Sequence, residues 1–304
     1  MPNLYFYLNK IRRLNQNRNF GKPAPHKPLL LLAVIDLIER GRFLNNQITP
    51  STEFAEAFLK YWNLIRSDRP RIFLPFYYLK SDGFWHLHAK PNKTIYEFRS
   101  MSQIARNVAH AAFDDDLFIL LAKPETREII RQTIIEAYFN DEAEIFRAAI
   151  SENQGNFSLK NLLGQQADLE SETSFDKPKR SPLFRGVIMR LYNYTCAACR
   201  YRLLTLDGMT AVDAAHIIPF SVSHDDGIGN GLALCKLHHW AFDNGLISID
   251  DKFRLLVSSA FEESADEALL LRRLQAQKIF LPKQKPFFPS LRTIQWHRSN
   301  KFQD

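Results

Sequence analysis

The chain has 304 residues, of which 45% are hydrophobic and 24 are phenylalanine, and a formal net charge of +7 with a pI near 9.2. That length suits two domains with substantial cores. Its most apolar stretch, LLLLAVIDLI from Leu29, ends in charge well short of the roughly 20 residues a membrane-spanning helix needs, so a soluble, cytoplasmic protein is expected. No internal repeat and no long low-complexity tract appears.

In chain order, HKPLLLLAVIDLIERGRF from His26 reads as a buried helix entered at Pro28 and closed by a glycine turn. RIFLPFYYLKSDGFWHLH, from Arg71, reads as a strand or loop, a Ser-Asp-Gly turn and a second strand. The segment from Ala105 to Phe139 reads as helix in two pieces, broken near Pro124. Residues 1–100 hold 16 Lys plus Arg against 7 Asp plus Glu, whereas residues 101–150 hold 5 against 9. A basic excess concentrated in the first hundred residues favours a polyanionic partner there. Residues 151–182 are polar and poor in aromatics and read as a linker, with LKNLLGQQ as a short helical turn inside it. SPLFRGVIMRLYNY then reads as an amphipathic helix that delivers Cys196 to a metal.

The three cysteines fall in one stretch. Cys196 and Cys199 form one C-x2-C pair, and Cys235 with His238 forms a second short pair. Each can chelate from a tight turn or the first turn of a helix, which is how tetrahedral structural Zn2+ is held. An extracellular disulfide scaffold fits poorly, because the count is odd, the chain is long and no signal peptide is read at its start.

VDAAHII reads as a short strand, and LALCKLHHWAF has helical apolar spacing and starts just after Asn-Gly. On that helix His239 and Asp243 stand at i and i+4 and can share a hard divalent cation, Mg2+ or Mn2+, while Cys235 and His238 face a neighbouring side. A neutral imidazole at His216 suits a general base that takes a proton from attacking water.

His216, Asn230 and His239 are separated by 14 and then 9 residues. That spacing, within AHIIPF and NGL…HH…FD, resembles the HNH endonuclease family over about residues 190–250. The resemblance implies a ββα-metal fold around one divalent ion, with Asn230 holding the backbone that positions His216. It also selects His239 as the active-site ligand and leaves His238 to zinc. Many family members carry a metal ligand immediately before the base, where this chain has Ala215; Asp213, two residues further back, or water is expected to supply the missing oxygen.

The order HKP-LLLLAVIDLI, LPFYYL and DG-W-L resembles the sulfur-binding domains that precede some HNH restriction endonucleases and read phosphorothioate-modified DNA. It implies that His26 and Lys27 contact DNA and that the stretch from Leu74 to Tyr78, with Pro75 and Tyr78 as its marked positions, forms part of an apolar reading pocket. The chain departs from that pattern in Leu74, where an aromatic is expected, and in the bulky Tyr77 and Tyr78.

Together these readings give an α+β protein: an N-terminal α/β DNA-recognition domain over 1–150, a linker over 151–182 and an HNH domain with structural zinc over 183–304. The expected function is a restriction-type endonuclease acting on double-stranded, modified DNA, with homodimerisation as one route to double-strand cutting. An HNH nickase indifferent to modification, or a DNA-binding regulator that keeps zinc but not catalysis, stays open beside it.

Overall fold

A computed structural model describes residues 2–19, 22–66, 68–151, 182–267 and 270–304. Two compact units are present: residues 1–155 with 205–209, and residues 156–204 with 210–304. Apart from Ser151 and Pro182, the expected linker and its LKNLLGQQ turn lie outside the described residues.

The first unit opens with α1 (Leu4–Ile11), capped by the Asn3 side chain, and a small pairing of β1 (Arg18–Asn19) with β2 (Lys22–Pro23). Helix α2 (His26–Glu39) is buried at every position from Lys27 to Ile38, which is why its sequence is apolar all round. Helix α3 (Thr52–Ile65), capped by Ser51, packs along it. The acid in the buried stretch of α2 is fully buried and satisfied: Asp36 accepts from Lys60 Nζ at 2.6 Å and Tyr61 OH at 2.7 Å. Arg131 stands 3.6 Å from the same carboxylate and 2.7 Å from Glu39. Such a network ties α2 and α3 to the helix that carries Arg131, because losing a charged member strands a buried charge.

RIFLPFYYL is not a strand. It forms α4 (Phe73–Tyr78) followed by a 3-10 turn, Leu79–Asp82, ending at Gly83 with φ of +72°. Ile72, Phe76 and Leu79 are all fully buried, and their i, i+4, i+7 spacing is helical. The aromatic content suggested a strand; the period decides for a helix. Ser-Asp-Gly therefore ends a helix and does not turn a hairpin.

Strand β3 (Trp85–Ala89) forms where expected, but it pairs with a later strand, β4 (Val108–Phe113), as an antiparallel ladder from Trp85↔Phe113 to Ala89↔Val108. That later strand corrects the first of the two helical pieces expected between Ala105 and Phe139. Helix α5 (Met101–Asn107) stops at Asn107, and the alanine-rich segment after it is captured by pairing with β3, so tertiary context overrides helix propensity. Helices α6 (Asp115–Ala122) and α7 (Pro124–Tyr138) break at Pro124, which occupies the first turn of α7, where its missing N–H costs nothing. Helix α8 (Ala143–Ser151) closes the unit.

In the second unit the lead-in helix Pro182–Leu191 packs on an antiparallel pair, β5 (Val212–His216) and β6 (Gly231–Cys235). The helix Lys236–Asp243 follows directly. LALC is thus strand, not the first turn of a helix as its spacing suggested. The first four residues of β6 are all buried, so the run is apolar without alternation, and periodicity alone does not separate such a strand from a buried helix. Gly231 is required there, since a Cβ would collide with Ile188 and Phe184 of the lead-in helix. Strands β7 (Ile247–Ile249) and β8 (Leu255–Val257) pair antiparallel, and the helix Leu291–Asn300 packs on β7. From that helix His297 is buried against Phe242, ring centroids 3.7 Å apart, and bonds Ser248 Oγ at 2.9 Å. Burial pushes its pKa down to about 4, keeping it a neutral part of the core.

The protein is therefore mixed helix and strand, built from small antiparallel sheets among helices. Among the described residues no helix is long and apolar enough to cross a membrane.

Candidate functional site

A tight turn after the lead-in helix carries Cys196 and Cys199, with Cys196 N donating to Tyr201 O at 2.9 Å and Arg200 taking the left-handed conformation that reverses the chain. Cys235 stands at the N-cap of the Lys236–Asp243 helix, and His238 lies in its first turn. The ligand atoms of Cys196, Cys199, Cys235 and His238 all lie within 4.8 Å of one another, with His238 Nδ1 2.9 Å from Cys235 Sγ. Hydrogen bonds from the Cys196 and Cys199 thiols drive Cys235 toward thiolate, while Cys196, donating to Cys199 and Cys235, is pushed up. Burial lowers the His238 pKa, but its hydrogen bonds to Cys199 and Cys235 outweigh this and raise it to about 9. Three thiols this close cannot all ionise without a cation between them, and three sulfurs with one imidazole nitrogen is a donor set that fits tetrahedral zinc.

His239, the next residue, lies outside that cluster. Its Nε2 is 3.5 Å from Asp243 Oδ2, one turn along the helix, and both side chains are partly exposed. They present one nitrogen and one oxygen from a single face, a pair that fits a divalent cation keeping its other positions for water and phosphate oxygens.

His216 ends β5, opposite Gly231 of β6. Its ring stacks on Phe184 at 4.0 Å and 10°, and its Nε2 is 2.8 Å from Asp226 Oδ1. Asn230 is almost wholly buried and ties down the loop between the strands: its Oδ1 accepts from Ile218 N at 2.8 Å, and its Nδ2 donates to Ile218 O at 3.0 Å and Asp225 O at 2.9 Å.

Asp213 stands two residues before Ala215 on β5. An odd number of residues along β5 puts it on the face opposite His216, and its carboxylate is committed to Lys236 and, at 3.3 Å, to Arg185. Burial raises its pKa, but those two cations outweigh it and hold the carboxyl below its usual range. Among the described residues the Cys3His set is the one cluster of three or more metal-binding side chains.

In the first unit a groove of about 880 Å3 runs beside the start of α2 and α4. Leu74, Pro75 and Tyr78 give it an apolar wall, and Arg66, Arg69 and Arg71 give it positive charge. Tyr78 OH donates to Glu97 at 2.5 Å, which fixes the ring at the groove's edge. His26 lines the groove and packs on Trp62, ring centroids 4.8 Å apart; burial and then Arg66 push its pKa down to about 4, so it offers hydrogen bonds and no charge.

Lys27 also lines the groove. It is only 7% exposed, and its ammonium is held by Asp82 at 2.6 Å and Ser81 Oγ at 2.9 Å, so its charge joins α2 to the turn after α4. The arginines were missed. Their signal was present as RSDRPR, three arginines in six residues just ahead of LPFYY. Arg71 also has φ of +45°, a left-handed backbone that costs a β-carbon residue roughly 1 kcal/mol and aims the chain into α4.

A family model described as HNH endonuclease matches residues 196–250, and one described as ScoMcrA-like, DNA sulfur-binding domain matches residues 6–149. Among curated proteins none matches. Among solved structures, the modification dependent TagI restriction endonuclease is 23% identical with a TM-score of 0.30; the match covers 43% of this chain and 41% of that one. The sulfur binding domain of SprMcrA, complexed with phosphorothioated DNA, is 19% identical with a TM-score of 0.39, covering 51% of this chain and 95% of that domain. The Type IV phosphorothioation-dependent restriction endonuclease ScoMcrA is 12% identical with a TM-score of 0.35, covering 77% and 94%. Residues 6–149 are thus matched by the model of the ScoMcrA-like DNA sulfur-binding domains and residues 196–250 by that of the HNH endonucleases.

Proposed function

We propose that this chain is a metal-dependent restriction-type DNA endonuclease that selects phosphorothioated duplex through its first unit and cuts with its second. The observation that carries the reading is the pairing of two distinct sites in one chain: the β5–β6–helix unit with His216, Asn230, His239 and Asp243, and a groove with both an apolar wall and arginines.

In the cutting unit, His216 takes the proton from the water that attacks the phosphodiester, and Asn230 fixes the loop that follows it. His239 and Asp243 would hold the Mg2+ or Mn2+, and when bound that ion supplies charge stabilisation at the scissile phosphate and its leaving oxygen. Cys196, Cys199, Cys235 and His238 would hold Zn2+, which staples the turn after the lead-in helix to the N-terminus of the ligand-bearing helix. The thiolates this requires suit the reducing cytoplasm, where we place the protein.

In the reading unit, Arg66, Arg69 and Arg71 meet backbone phosphates, and Leu74, Pro75 and Tyr78 offer a poorly hydrated sulfur a surface it prefers to water. Binding of the full chain to matched duplexes, without added Mg2+ or Mn2+, tests this. The phosphorothioated duplex is expected to bind more tightly at equal salt. Arg71→Ala is expected to weaken both duplexes and lower the salt slope by about 1, while Pro75→Gly removes only the difference between them. Equal affinity of the two duplexes for the intact chain would reject the sulfur reading and leave a general DNA-binding groove.

A further inference from the structure

Asp226 stands out because no reading of the sequence singled it out, yet its carboxylate reaches the ring of His216. The contact is 2.8 Å, from Asp226 Oδ1 to His216 Nε2, and the two side chains are 14% and 8% exposed. An ionised carboxylate only accepts hydrogen bonds, so Nε2 must carry the proton. The neutral ring then has its lone pair on Nδ1. We infer that Asp226 is the positioning residue of the catalytic base, fixing the His216 tautomer and ring so that Nδ1 is the atom that receives the proton of the attacking water. This rests on His216 being the base.

The loop geometry supports the assignment independently of that one distance. Asn230 Nδ2 donates to the carbonyl of Asp225, the residue before Asp226, while its Oδ1 and Nδ2 also bracket Ile218, two residues after His216. Asp225 Oδ1 in turn accepts from Gly227 N at 2.7 Å, closing a tight turn around Asp226. One buried amide thus grips the chain on both sides of the His216–Asp226 contact. The stacked ring of Phe184 removes the remaining freedom of the imidazole.

When water is deprotonated, its O–H bond breaks, the proton goes to Nδ1 and the oxygen bonds to phosphorus as the leaving oxygen departs. The resulting imidazolium keeps its Nε2–H directed at Asp226, whose charge offsets the one that has formed; no proton passes to the carboxylate. An asparagine at 226 would turn its Nδ2 toward Nε2 and favour the other tautomer, with Nδ1 protonated and unable to act.

The test uses full-length protein with its zinc, plasmid DNA and Mg2+ or Mn2+. Asp226→Asn is expected to lower the single-turnover cleavage rate on the order of a hundredfold with DNA affinity, zinc content and melting temperature retained; Asp226→Glu should recover part of the loss. Long-range 1H–15N spectra of histidine-labelled wild-type protein, with His216 identified by its absence from His216→Ala, should show the Nε2-protonated tautomer, a measurement that needs no folded Asp226 variant. A wild-type ring protonated on Nδ1, or full-rate cleavage by Asp226→Asn while His216→Ala is inactive, overturns the role of Asp226 alone. Full-rate cleavage by His216→Ala overturns the base itself, and this inference with it.

Discussion

Cys235→Ser is expected to release zinc and unfold the second unit, the largest effect of any single change considered for this chain. The reason is local. Cys235 is the last residue of β6 and the N-cap of the ligand-bearing helix, so one sulfur joins the strand, the helix and the Cys196–Cys199 turn. The helix that this turn meets has only eight residues, too short to be stable by itself. Structural zinc in small domains contributes on the order of 10 kcal/mol of folding free energy, comparable to the whole stability of a typical domain. Metal analysis of the purified wild-type protein should find about one tightly held zinc per chain, distinct from exchangeable Mg2+ or Mn2+. Melting followed by circular dichroism should show the variant losing one transition. A zinc-free Cys235→Ser protein that melts and cuts like the wild type would sink the structural-zinc reading.

His216→Ala is expected to lower cleavage by roughly a hundredfold or more while DNA binding persists, because it removes the proton acceptor and leaves both sets of candidate metal ligands in place. It also removes a ring stacked on Phe184, so melting must be measured beside activity. The separation between the two readouts is the diagnostic: the loss should lie in the rate of bond breaking under saturating enzyme and not in the DNA concentration needed for half-saturation. A variant that binds normally and cuts at the wild-type rate would show that another group takes the proton.

What the sequence made legible follows from the range of the interactions involved. The two metal-binding pairs and the His216–Asn230–His239 spacing are local patterns, and so are the buried helix from His26 and the break at Pro124. RIFLPFYYL misled because its residue types speak for strand while its period speaks for helix, and the buried trio of Ile72, Phe76 and Leu79 follows the period. VAHAAF and LALC misled for a different reason: each becomes a strand only because a partner strand is brought to it from some twenty residues away. Side-chain commitments were the least legible. Lys27 is taken by Asp82, Asp213 by Lys236 and Arg185, and His216 by Asp226, and no spacing rule on a single sequence announces pairs that the fold assembles. The RSDRPR cluster was within reach of simple charge counting in short windows.

The most direct measurement is cleavage by the intact, zinc-loaded chain of one plasmid prepared in two forms, phosphorothioated and unmodified, with Mg2+ or Mn2+ added at equal salt. The two-site account predicts cleavage of the phosphorothioated plasmid at least roughly tenfold faster, which corresponds to about 1.4 kcal/mol of discrimination by the groove, with His216→Ala inactive on both forms. Equal rates on the two plasmids would contradict selection through the first unit, and no cleavage of either form with any divalent ion would contradict the nuclease itself.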